Sequence, residues 1–263
     1  MTARLALVVL LTASTLHADD ATAVYTRACA RCHGADGHGD GPAAPAPRPR
    51  DFTRGKFKLR STPSGQLPTD ADLLRTIARG IPPAMPSFRG LTAHERQLAM
   101  TTVKRFYPGF ATTTPTPIVV PPPPPFDPAG VTRGATLFRE SGCPACHGDT
   151  GTGDGAAAKD LKDGTGQKIA PANLHSPTHW KGGASSEDLF RTLSTGFDDT
   201  PMASYADALT VAQRWDLIAF VRSLARVSPA GSPSRARPRD ARRRSQASGR
   251  HASPRRSRRP SSP

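Results

Sequence analysis

All four cysteines of the 263-residue chain stand in two frames of one kind, Cys29-Ala30-Arg31-Cys32-His33 and Cys143-Pro144-Ala145-Cys146-His147. Each reads Cys-x-x-Cys-His, the spacing that lets two thiols meet the two vinyl groups of one haem with a histidine beside them. The pairs lie 114 positions apart (29 to 143), and each has its own histidine, which disfavours one shared zinc. A thioredoxin-like redox pair needs a βαβ context, and the pattern shows none. Two covalently attached haem c groups are the reading that uses every cysteine. That reading limits the fold strongly, because each half must wrap a large planar apolar group. Composition agrees: hydrophobic residues are 36% and aromatics 6%, a thin supply for a core built from side chains alone. The 28 prolines and 23 glycines point to loop-rich domains with few strands.

The chain also repeats itself. An aromatic precedes each motif (Tyr25, Phe138), and a Gly/Asp loop follows it, residues 34–41 and 148–155. Then come Pro49-Arg50-Asp51-Phe52 and Pro171-Ala172-Asn173-Leu174. A helix follows in each half. Thr69-Asp70 and Ser185-Ser186 supply caps, and Leu73, Leu74, Ile77 and Leu189, Phe190, Leu193 form the apolar faces. Gly80 and Gly196 stop these helices. A methionine comes next, Met85 or Met202, and a second helix closes each unit near 92–106 and 210–224. Thr92 and Glu95 read as a capping box, and Trp215, Ile218 and Val221 recur at helical spacing. No period-two strand stands out. The expectation is all-α: two copies of one fold.

Outside the repeat, the composition changes. Residues 1–18 read as an export signal, with Arg4, the apolar run Leu5–Leu11 and a small residue at Ala18. That run is far shorter than the ~20 apolar residues of a membrane span. Residues 19–110 and 129–226 are the expected domains, and 111–128, with five consecutive prolines at 121–125, the expected semi-rigid spacer. Residues 227–263 are Arg, Ser, Pro and Ala, a basic tail without enough apolar residues to fold. Such a tail suits peripheral contact with anionic lipid or an acidic partner, and export separates it from nucleic acid. The net charge of +15 is uneven. Residues 19–120 hold 14 basic and 8 acidic side chains, and residues 126–225 hold 9 and 12. The opposite signs suggest that each domain docks a different partner.

The chemistry rests on iron ligands. Cys29, Cys32, Cys143 and Cys146 supply thioethers, and His33 and His147 sit where a proximal ligand is needed. A sixth ligand separates a closed electron carrier from an open, reactive centre. Met85 in Ile81-Pro82-Pro83-Ala84-Met85-Pro86 and Met202 in Asp199-Thr200-Pro201-Met202-Ala203 both lie in proline-marked loops, 52 and 55 residues after their histidines. Met100, His38, His94, His175 and His179 are the competing positions.

The segments 20–107 and 130–225 resemble class I c-type cytochrome domains, and their tandem resembles a dihaem cytochrome c. The resemblance implies a crossing of first and last helices through Gly134, Phe138 and Trp215, with Ala21, Tyr25 and Phe106 as looser equivalents. It implies that the carbonyls of Pro49 and Pro171 accept from the proximal histidines, and that Arg60 and Trp180 lie near propionates. The long proline linker departs from the compact two-domain members. Function is expected to be single-electron transfer between redox partner proteins in the periplasm or outside the cell. A permanent partner, in a membrane or molybdenum-enzyme complex, is equally compatible with the linker and tail. No catalytic residue is expected. The alternative is a dihaem enzyme, a peroxidase or thiosulfate-type dehydrogenase, with one labile methionine ligand.

Overall fold

The computed structural model describes residues 20–125 and 127–226, so the expected export segment 1–18 and basic tail 227–263 lie outside the described residues. Within them the regular structure is helical. Extended backbone pairs only at two isolated bridges, Ile81 with Met85 and Lys162 with Lys168. The first half contains α1 (20–28), α2 (Ala30–His33), α3 (Asp70–Arg79), α4 (Ala93–Arg105) and α5 (Gly109–Thr112). The second contains α6 (Pro128–Glu140), α7 (Pro144–His147), α8 (Ser186–Thr195) and α9 (Val211–Arg226). No helix among the described residues is long and apolar enough to cross a membrane.

Local sequence explains the helix ends. Thr69 and Asp72 form a capping box at α3, and Thr92 and Glu95 form another at α4, each pair satisfying two orphan amides. Ser185 caps α8, and Asp127 caps α6 by accepting from the Ala129 and Gly130 N–H groups. Gly80 and Gly196 end α3 and α8. In the first half, Val24 and Tyr25 of α1 bury against Leu73 and Ile77 of α3 and Ala99, Met100 and Val103 of α4. The Tyr25 ring meets Phe106 edge-on at 5.1 Å.

In the second half α6 packs on α9 through Gly134. A Cβ at that position would stand 2.0 Å from the Asp216 carbonyl oxygen and 2.9 Å from the Phe220 Cβ, so only glycine lets the helices touch. The aromatic partner of Phe138 is Phe220, at 5.3 Å. Trp215, expected at this crossing, instead packs on Phe190 of α8 at 4.6 Å. Trp215 and Phe220 are five positions apart, which turns them to different faces of α9.

The segment after α5 does more than hold two bodies apart. The Ile118 N–H donates to Ser61 O at 2.7 Å in the first half. Two residues on, Val120 packs on the Phe190, Trp215 and Ile218 cluster of the second. The spacer expectation is corrected: part of the linker is a strap lying along both halves. The halves also meet directly. Arg50, Arg54, Lys58, Arg60 and Arg79 of the first face Asp199, Asp163, Asp198 and Asp188 of the second, with every cation on one side and every anion on the other. The charge asymmetry read as two external docking surfaces is therefore used in part to bind the halves to each other.

Candidate functional site

The two motifs are built alike. Each forms one helical turn, α2 or α7, and its histidine is followed by a glycine with φ 77°. Gly39 N–H donates to His33 O and Gly153 N–H to His147 O, both at 2.8 Å. Gly41 and Gly155 donate to Cys32 O and Cys146 O at 3.2 and 3.1 Å. Phe52 and Leu174 then return to Gly37 O and Gly151 O at 2.8 and 2.7 Å. The Gly/Asp loop thus wraps back over the histidine in both halves, for the same backbone reason.

The histidines expected as proximal ligands are oriented by a carbonyl one residue later than expected. His33 Nδ1 lies 3.4 Å from the Arg50 carbonyl, and His147 Nδ1 lies 3.0 Å from the Ala172 carbonyl. The expected acceptors, Pro49 O and Pro171 O, face the glycine loop instead. A Cβ on Gly39 would meet Pro49 O at 2.4 Å, and one on Gly153 would meet Pro171 O at 3.2 Å. Because successive carbonyls of an extended segment point in opposite directions, the next one faces the ring. Burial pushes both imidazoles below their ordinary pKa, against a smaller upward pull from these carbonyls. They are thereby kept neutral, the form that ligates metal. His33 also stacks on Phe52, with ring centroids 4.6 Å apart. Burial, then the neighbouring Cys32, raises the Cys29 thiol to about 11. Burial likewise raises Cys143.

In the second half Cys143, Cys146, His147 and Met202 line one cavity of about 780 Å³. Its volume is within the ~300–1,000 Å³ of sites that enclose a cofactor-sized ligand. Pro171 and Trp180, both expected from sequence, and Tyr205, which was not, also line it, as do Pro82, Pro83 and Lys58 of the first half. Met202 therefore shares a cavity with His147, as a sixth ligand must. Met85 lies in a loop closed by paired bonds, Ile81 N–H to Met85 O and Met85 N–H to Ile81 O, each 2.9 Å. Its competitor Met100 is buried in the apolar core. Among the competing histidines, His38 Nδ1 lies 3.7 Å from Asp51, His94 is exposed, and His175 Nε2 is 2.8 Å from Thr150 O. His179 reaches the cavity wall.

The residues fit haem. One cavity brings together the two thiols, the neutral imidazole and the thioether of one motif set. The Arg60 side chain is fully buried, and its Nη1 finds no partner among the described residues. Its other nitrogens donate to Pro63 O at 3.2 Å and to Thr195 O and Asp198 at 2.7 Å. Trp180, the other residue expected near a propionate, donates its indole N–H to Asn173 O at 3.0 Å. Lys58 and Lys181 line both the cavity and a cleft beside Arg60. Burial, then Arg50 and Lys181, lower Lys58 to about 8, and burial and Arg50 lower Lys181. Neither lysine nor the acidic doublet Asp198-Asp199 was singled out by sequence, since no local pattern marks a residue that acts across a domain boundary. No cluster of three or more His, Cys, Asp or Glu groups capable of holding a bare metal ion occurs among the described residues.

Residues 131–225 match the family described as cytochrome c, and residues 17–101 match the family described as cytochrome C oxidase, cbb3-type, subunit III. Among solved structures, the chain is similar to one from Kuenenia stuttgartiensis described as "reducing HAO-like protein complex Kustc0457/Kustc0458". The two are 37% identical with a TM-score of 0.75, over 78% of this chain and 95% of that one. No curated protein matches the chain.

Proposed function

The chain belongs to the c-type cytochromes as a dihaem member with two tandem class I domains, and from that premise we propose that it is an exported carrier of single electrons between redox proteins rather than a catalyst. The observation that carries this reading is the cavity that His147 and Met202 share with Cys143 and Cys146. Bound there, haem supplies an iron centre that takes up and releases one electron at a time. The chain's own residues hold it and keep reactants away. Cys143 and Cys146 would tether it, the Ala172 carbonyl would orient His147 as one iron ligand, and Met202 would supply another. In the first domain Cys29, Cys32, His33 and Met85 take the same roles. The leader-like composition of residues 1–18, and tethers that would keep the cofactor from being lost outside the cell, support the exported part of this reading.

The relative of known structure is part of an HAO-like protein complex. That supports a partner of the same broad kind for this chain, a redox protein to which it is held while electrons pass. The test is spectroscopic. Holoprotein with both irons low-spin in each oxidation state, a sulfur-to-iron charge-transfer band from both, and no response to carbon monoxide supports the carrier. One high-spin iron in the wild type, with turnover of peroxide or a sulfur oxyanion, would replace it by the enzyme reading.

A further inference from the structure

The two methionine loops are stiffened by different means. In the first domain, Ile81–Met85 is closed by two backbone bonds of 2.9 Å and contains Pro82 and Pro83, so it holds its own shape. In the second, Phe197 N–H donates to Met202 O at 2.8 Å, and Thr200 Oγ1 donates to Phe197 O at 2.7 Å. Met202 N–H donates to Thr200 Oγ1 at 3.2 Å. Inside this closure Asp199 has φ 65°, a left-handed conformation uncommon among non-glycine residues and most accessible to Asp and Asn.

The acidic side chains of this loop are held largely from the first domain. Arg50 Nη1 donates to Asp199 Oδ2 at 2.7 Å, and Arg54 approaches the same oxygen at 3.5 Å. Arg60 Nη2 donates to Asp198 Oδ1 at 2.7 Å, joined by Ser64 Oγ at 3.0 Å and Gly65 N–H at 3.2 Å. The second domain adds one bond of its own, Gly164 N–H to Asp199 O at 3.0 Å. These are shielded contacts, with the Arg50 and Asp199 side chains only 16% and 10% exposed. The corresponding loop of the first domain carries no acidic residue. Arg50 has a second attachment: its carbonyl is the group 3.4 Å from His33 Nδ1. One residue thus touches the proximal histidine of the first domain and the methionine loop of the second.

We propose that Arg50, acting through Asp199, is a positioning residue for Met202, so that docking of the first domain keeps the sixth-ligand loop of the second closed. The proposal rests on the reading of Met202 as a ligand. Its consequence is a built-in asymmetry. Met85 lies in a loop that keeps its own backbone closure, although Pro82 and Pro83 of that loop also line the second cavity, whereas Met202 is released when the domains part, and the second site then admits a small ligand.

The test uses full-length holoprotein as wild type, Arg50→Ala, Asp199→Asn and Met202→Ala. The readouts are the sulfur-to-iron charge-transfer band and the number of reduced haems that bind carbon monoxide. Met202→Ala is the reference, expected to lose about half of the band and to bind carbon monoxide at one haem per molecule. Arg50→Ala and Asp199→Asn are expected to move toward that same state, with Arg50→Lys recovering part of the band. The first-domain signals should be unchanged, because the backbone carbonyl facing His33 survives the substitution. Full retention of the band, with no carbon monoxide binding in either variant, overturns the proposal. An unchanged band in Met202→Ala overturns the ligand reading and the proposal with it. Asp199→Asn changes a single atom, so it remains informative if Arg50→Ala fails to fold, as judged by helical circular dichroism.

Discussion

Asp72 shows how much one side chain carries in a chain with a thin apolar supply. Its carboxylate is fully buried and accepts from Ser61 N–H and Oγ at 2.8 Å, from Thr69 N–H at 3.0 Å and from Arg75. Burial alone would raise its pKa, but these donors together outweigh it and hold the group below its ordinary value of 3.8. A carboxyl depressed in the folded state stabilises fully above its unfolded pKa and stops doing so as pH falls through the folded one. Asp72→Asn should therefore cost about 1–3 kcal/mol near neutral pH. Denaturant titrations over a pH series should show the gap from wild type closing in strong acid. A gap independent of pH would mean that the charge is irrelevant and only shape matters.

At the scale of elements, close approach and strap contact make separate predictions. Gly134→Ala drives a methyl into the α9 backbone at Asp216, so overpacking of about 1–3 kcal/mol is expected. That corresponds to roughly 2–4 °C in Tm for each kcal/mol in a chain of this size. Gly90 has no atom within 4 Å of a built Cβ, so Gly90→Ala serves as the neutral control in the same thermal scans. The strap is tested by neighbouring residues. Val120 packs on Phe190, Trp215 and Ile218, while Val119 is 87% exposed. Val120→Asp should destabilise the protein by about 1–3 kcal/mol through an unpaired charge on an apolar cluster, and Val119→Asp should be nearly silent. Equal effects in chemical denaturation would return the linker to the status of a free spacer.

At the scale of the molecule, the interface is a one-way exchange of charge from a basic domain to an acidic one. Its innermost pair is Arg60 with Asp198, whose side chains are 0% and 9% exposed. Removing one partner of a buried pair leaves the other uncompensated, typically a cost of about 3–5 kcal/mol, and reversing it adds repulsion. Asp198→Lys should accordingly part the domains. Small-angle X-ray scattering would then show a larger radius of gyration at unchanged helical content. An unchanged profile would mean that the strap and the remaining ion pairs suffice.

The c-type cytochrome family, the all-α class and the twofold repeat were legible from residues 29–33 and 143–147 and their flanks, because motif spacing and capping act over a few positions. Thr69, Thr92, Ser185, Gly80 and Gly196 were legible for the same reason. Three features were decided only by the folded chain. The acceptor for each proximal histidine is Arg50 or Ala172 rather than the preceding proline, since carbonyl direction depends on how the segment passes the glycine loop. Phe220, not Trp215, meets Phe138, since helix rotation is set by what packs on both faces. The Arg50–Asp199 and Arg60–Asp198 pairs join residues 149 and 138 positions apart. Local chemistry can be read along a chain, but which distant charges meet depends on how the two halves come to rest against each other.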